Sequence, residues 1–154
     1  MHRIKLLIVF LVINFGGLAL GGWLMDSGPT SEWYTNLNQA PWTPPGWVFG
    51  FAWTAIMICF SIYLAYHFSI LKGNNTKWLY AFQVFLNVIW NYVFFNQHQV
   101  LLGLIVIASL LIVIFYYFFN FKEDQLKKIR FLLVPYMAWL CIATSLNAYI
   151  LIYN

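Results

Sequence analysis

Acidic residues are almost missing from this chain. Asp26, Glu32, Glu123 and Asp124 are the whole supply, and all four fall between apolar runs. A pair of carboxylates facing one another in a catalytic cleft is therefore excluded. Cysteine is as scarce. Cys59 and Cys141 stand far apart with no C-x-x-C spacing, so neither a metal site nor a redox pair is indicated. No His, Cys or Ser constellation at catalytic spacing appears within the apolar runs, which argues against a conventional hydrolase. Charge of either sign makes up 8% of the residues and hydrophobic side chains 63%, with a mean hydropathy of +0.76. Soluble domains carry about 25% charged residues. A soluble domain is excluded, and an all-α integral membrane protein is expected.

The uncharged runs set the number of crossings. Leu6–Met25 spans 20 residues without Asp, Glu, Lys or Arg, residues 33–71 span 39, residues 78–121 span 44 and residues 131–154 span 24. One crossing takes about 20 apolar residues. The first and last runs each hold one helix. The 39-residue run spends its first third on a proline-rich loop and keeps one helix. Asn96-Gln97-His98-Gln99 divides the 44-residue run into two. The expectation is a five-transmembrane-helix bundle in one domain, residues 1–154, with helices near 4–25, 46–70, 78–95, 100–119 and 131–152 and a lid loop over 26–45. Arg3 and Lys5 before an apolar core, with Ala19-Leu20-Gly21 behind it, imitate a cleavable signal. The run exceeds the roughly 7–15 residues of a signal core, so a retained helix is expected.

All eight basic residues lie on one side of this topology. Arg3 and Lys5 precede the first helix, Lys72 and Lys77 join the second and third, and Lys122, Lys127, Lys128 and Arg130 join the fourth and fifth. Cytoplasmic loops carry the excess of Lys and Arg, which puts the N-terminus in the cytoplasm and the C-terminus and lid loop outside, as in a bacterial inner membrane. The net charge of +4 follows from this bias and calls for no nucleic acid. Membrane lipid is the expected surroundings.

Within this apolar chain one stretch is unusual. Residues 38–53 hold Pro41, Pro44 and Pro45 with Trp42, Trp47 and Trp53, three of five prolines and three of eight tryptophans. The prolines fix φ and remove backbone donors, so the stretch is a stiff loop running into a helix start. It reads either as a surface loop with Trp anchors or as a rigid aromatic wall over a flat apolar ligand. On the third helix Gln83, Asn87 and Asn91 recur four apart beside Trp90 and must face the interior, because a carboxamide in lipid has no partners. They read equally as interhelical hydrogen bonds and as the polar rail of a cavity. Gly17 and Gly21 form a small-xxx-small pair suited to close packing inside the bundle or to a dimer. On the fifth helix Pro135 suggests a kink. Trp139 beside small Ala143 reads as core or as room for a flat group. His67, near the inner end of the second helix, reads as interfacial.

These blocks in their order carry a resemblance. Trp33-Tyr34, Pro41-Trp42-Thr43-Pro44-Pro45-Gly46-Trp47 and Trp53 come first, followed by Leu86-Asn87, Trp90 and Phe94-Phe95. Pro135-Tyr136-Met137-Ala138-Trp139 and Ala143-Thr144-Ser145-Leu146-Asn147 close the set. The chain resembles the TspO/MBR family of tryptophan-rich sensory proteins and translocator (peripheral benzodiazepine receptor-like) proteins over residues 33–154. The resemblance implies a cavity below the first loop that binds porphyrins, haem-type tetrapyrroles and synthetic aromatic ligands. It places Tyr34, Trp42, Trp53, Asn87, Trp90, Trp139 and Ala143 at cavity positions, and the carboxamide stripe adds Asn91. It ties Trp53 and Trp139 to light-dependent degradation of protoporphyrin, and it implies a homodimer. The cholesterol motif of vertebrate members is not matched, since Ala148 stands at its Tyr position and no Lys or Arg follows. Sterol binding there is not supported.

The readings that result are a tetrapyrrole-binding sensor, a photo-oxidative enzyme using Trp53 and Trp139, and, last, a transporter. No cofactor is required by any of them, and porphyrin enters as ligand or substrate. Transport ranks lowest because no ionisable residue falls at mid-membrane.

Overall fold

The computed structural model describes residues 2–154. Five helices in it are long and apolar enough to cross a membrane. The first crossing is α1 (His2–Leu24) and a short helix α2 (Glu32–Asn36) sits in the loop that follows. The second is α3 (Gly46–Ile70), the third α4 (Asn74–Asn91) and the fourth α5 (Val100–Asn120). A short α6 (Asp124–Ile129) precedes the fifth, α7 (Val134–Tyr153). Around the bundle α1 packs on α3 and α4, α4 on α5, α5 on α7, and α7 on α3, which closes the ring.

Local sequence explains where the elements begin. Pro45, extended at ψ 148°, ends the proline loop and α3 starts at the next residue. Ser31 caps α2 by accepting from the Tyr34 amide at 3.2 Å, which satisfies one of the orphan donors of a helix start. Asp26 and Gly28 take positive φ (53° and 49°) and turn the chain out of α1.

Three elements differ from the sequence expectation. The third crossing starts at Asn74, directly after Gly73, and its α-helix stops at Asn91. Residues Tyr92–Asn96 continue it as a single π-helical turn, closed by Gln97 N donating to Tyr92 O at 3.0 Å. This turn buries Val93, Phe94 and Phe95 in succession. Pro135 does not kink the fifth helix. It lies in the first turn of α7, where its missing N–H costs nothing. Lys127 and Lys128 lie on α6 rather than in an open loop.

The half of the bundle at the basic loops is solid. Phe60, Tyr63, Tyr117, Tyr136 and Leu133 are fully buried there. His67 belongs to this core and not to the interface. It is 0% exposed, edge-on to Phe121 at 4.4 Å and to Tyr117 at 5.3 Å. Tyr63, one turn earlier, and the adjacent Phe68 also pack on it, but Tyr117 and Phe121 come from α5 and the residue after it, out of reach of a local reading of the sequence.

Glycines set the closest helix approaches. Gly17 and Gly21 of α1 face α4. A Cβ on Gly17 would rest 3.6 Å from Val88, and one on Gly21 would meet Asn91 Nδ2 at 2.7 Å. The pair therefore serves packing within the bundle. On α5, a Cβ at Gly103 would lie 3.0 Å from Phe94 and 3.2 Å from Asn147 Oδ1, so α5 there seats directly on the π-turn and α7. Gly103→Ala is expected to destabilise the fold by about 1–3 kcal/mol through overpacking, read as a lower melting temperature of the detergent-solubilised protein. Gly16→Ala, which meets no neighbour, is the control that should not.

Candidate functional site

The hollow part of the molecule lies at the other end, toward the turn that follows α1. A cavity of about 390 Å³ opens between α1, α3 and α4, within the roughly 300–1,000 Å³ range of small-molecule pockets. Trp53 and Phe49 come from α3, Trp90, Asn87 and Asn91 from α4, Phe95 from the π-turn, and Met25 and Pro29 from the end of α1 and the turn after it. The α3 contribution follows from helical spacing, since Gly46, Gly50, Trp53 and Thr54 share one face. Glycine at two of those positions leaves the space open, and a Cβ at either would touch nothing within 4 Å.

The floor is polar but uncharged. Asn87 and Gln83 both donate to the Tyr136 hydroxyl, Gln83 at 2.8 Å. Asn91 donates to the Asn87 carbonyl at 3.1 Å. Trp90 donates from Nε1 to Asn147 Oδ1 at 3.3 Å, and Asn147 passes the link to the Val100 carbonyl at 3.0 Å. The carboxamide stripe thus divides. Gln83 is an interhelical strut, while Asn87 and Asn91 also face the cavity. No Asp, Glu, His, Lys, Arg or Cys lines it. Thr54 spends its hydroxyl on the Gly50 carbonyl at 2.8 Å.

The residues marked in the sequence separate into three places. Trp53, Asn87, Trp90 and Asn91 line the cavity. Tyr34 and Ala143 line a neighbouring void of about 20 Å³ between α2, the π-turn and α7. Trp42 lies outside both. It is 54% exposed, donates to Ser145 Oγ at 3.1 Å and meets Tyr149 edge-on at 5.4 Å. Trp139 is 6% exposed and lines neither space; Phe49 stands against it, edge to face at 5.1 Å.

The proline stretch is accordingly a strap over α7 more than a lid over the cavity. Asn38 and Asn154 exchange hydrogen bonds of 2.8 and 3.2 Å, tying the loop to the end of α7. Trp47, 73% exposed, has the surroundings of an interfacial anchor. Trp33 stacks on His98 at 4.1 Å and 13°, pinning α2 to the α4–α5 turn. Burial pushes the Tyr34 phenol above its usual range, so it stays neutral. Phe49, Phe95, Tyr136 and Asn147 were not singled out as site residues from sequence. A signal existed for Phe49, one turn ahead of Trp53 on the same helix.

Comparison with known proteins decides the family. The profile of the TspO/MBR family matches residues 8–153. The chain belongs to the TspO/MBR family. It is 29% identical to the tryptophan-rich protein TspO of Archaeoglobus fulgidus over 100% of this chain and 99% of that protein. Identity to the tryptophan-rich sensory protein of Cereibacter sphaeroides is 36% over 75% of this chain and 73% of that one. Identity to the translocator protein of Homo sapiens is 28%, over 78% and 73%.

Tyr136→Phe removes the acceptor shared by two buried carboxamides. It is expected to cost about 1–3 kcal/mol, the price of a stranded buried donor, seen as a lowered melting temperature in detergent. With no titratable group on the cavity wall and Tyr34 held neutral, a neutral aromatic probe should bind with equal affinity at about pH 6 and about pH 9. A titration at both values checks this.

Proposed function

We propose that this TspO/MBR protein binds a flat, largely apolar aromatic ligand of the tetrapyrrole class in the 390 Å³ cavity and acts in sensing or tetrapyrrole homeostasis. The observation that carries the reading is the wall itself. Trp53 and Trp90 offer aromatic faces, Asn87 and Asn91 offer uncharged polar groups, and acid–base machinery is lacking. Aromatic surface held by the bundle before binding lowers the ordering cost of a rigid ring, and carboxamides can meet ligand carboxylates without burying a fixed charge. The N-terminus on the cytoplasmic side of a bacterial inner membrane is part of the same proposal, supported by the eight basic residues at one end.

A second reading is favoured by the place of Trp53. A porphyrin in the cavity would lie beside its indole, which can donate an electron to the photoexcited ring or take up a reactive product, with dioxygen as oxidant. That chemistry needs no buried acid. Transport finds less support, since no ionisable group lines the cavity.

Protoporphyrin added in the dark to the detergent-purified protein should quench tryptophan fluorescence saturably, and Trp53→Phe should weaken that binding. Timed illumination then separates the readings. A new absorbing product that is lost in Trp53→Phe or Trp139→Phe indicates the enzyme. Bleaching no faster than that of free porphyrin indicates the sensor. Absence of saturable quenching overturns the tetrapyrrole assignment.

A further inference from the structure

The cavity and the smaller void beyond it share Phe49, Trp90 and Phe95 as lining, so these three rings are the partition between them. Two are fastened. Trp90 stacks on Phe94 at 5.4 Å and 8° and donates to Asn147. Phe95 is 6% exposed and packs against Tyr34, Trp90 and Phe94 at 4.9–5.5 Å. Phe49 is held by one ring alone, the edge-to-face pair with Trp139. It is half-buried and stands on the first turn of α3 between Gly46 and Gly50, both of which border the open cavity. Its phenyl has free space on one side and a single aromatic pair on the other.

We propose that Phe49 is a specificity-determining residue, a movable partition that keeps a small flat ligand in the outer cavity and swings aside for a tetrapyrrole. The proposal rests on the tetrapyrrole reading above. With Phe49 turned away, the void next to Tyr34 and Ala143 joins the cavity, and the Trp139 indole, now covered by Phe49, becomes a wall of the joined site. This resolves how a residue 6% exposed and outside both spaces can meet a ligand. Binding of the large ligand is then reduced by the fraction of protein whose partition is open.

The test compares two probes on three proteins. Protoporphyrin is the large ligand and 2-naphthol, a neutral two-ring aromatic, the small one. Phe49→Leu keeps the apolar bulk but loses the edge-to-face pair, and Phe49→Trp enlarges the partition. In Phe49→Leu protoporphyrin should bind ~3- to 10-fold more tightly, and in Phe49→Trp more weakly by a similar factor. Because Phe49 also lines the outer cavity, the quantity that decides is the ratio of protoporphyrin to 2-naphthol affinity, which should rise ~3- to 10-fold in Phe49→Leu and fall by a similar factor in Phe49→Trp. Equal shifts for the two probes would make Phe49 an ordinary wall residue and overturn the proposal. So would protoporphyrin affinities that neither substitution changes, with the tetrapyrrole reading left standing. Saturable binding of 2-naphthol but not of protoporphyrin to wild type would remove that reading, and the partition with it.

Discussion

One hydroxyl holds the two halves of this bundle in register. Tyr136 is fully buried and receives both Gln83 and Asn87 from α4, so it joins the third and fifth crossings where no water can substitute. In a bilayer every such donor needs an internal partner, and the position of α4 relative to α7 is therefore fixed to within a hydrogen bond. Below this point Phe60 packs on Tyr136 at 5.4 Å, and Tyr117 meets both Phe60 and Tyr63 at 5.9 Å, which leaves no room for a ligand. Above it Asn87 becomes cavity wall and Trp53 lies edge-on to the same tyrosine at 5.9 Å. The knot is both the end of the packed core and the underside of the site.

The hollow above the knot needs its own support. Helix α1 leans on α4 through Gly17 and Gly21, and it is joined to α3 and α4 lower down by Asn14, which donates to Ser61 and accepts from Tyr80, both at 2.8 Å. Toward the loop end the α3 side turns to Gly46 and Gly50, with no side chains to close the gap. A cavity persists because the helices around it are fixed elsewhere. The strap from Asn38 to Asn154 and the Trp33–His98 stack hold the loop end without filling that space.

The helices were legible because uncharged runs have few other solutions in a membrane, and the family was legible because its aromatic and proline blocks keep their order. The inward carboxamides were legible for the same physical reason, the cost of leaving them in lipid. What each tryptophan faces was not. Trp42 and Trp53 sit in one dense stretch, yet Trp42 binds the flank of α7 and Trp53 the cavity, because the loop between them folds back over the bundle. His67 illustrates the same limit, since part of its cover comes from Tyr117 and Phe121, some fifty residues away in sequence. The π-turn escaped because no residue type demands it.

The chemistry of the site is set as much by what was kept out as by what lines it. A buried charge would have to be paired or neutralised, and either arrangement would tie the cavity to pH and to one ligand charge. Carboxamides avoid both. They remain donors and acceptors at every physiological pH, and any one of them can serve the fold when the ligand is absent, as Asn91 does on the Asn87 carbonyl. The same economy applies to the rings. Phe49 and Trp139 satisfy each other edge to face, and on the proposed reading a flat ligand that replaces that pair by its own faces exchanges one aromatic contact for another. Such an exchange is close to neutral per contact. Under that proposal selectivity rests on the extent of surface the ligand covers, which is a property of its size and flatness more than of its functional groups.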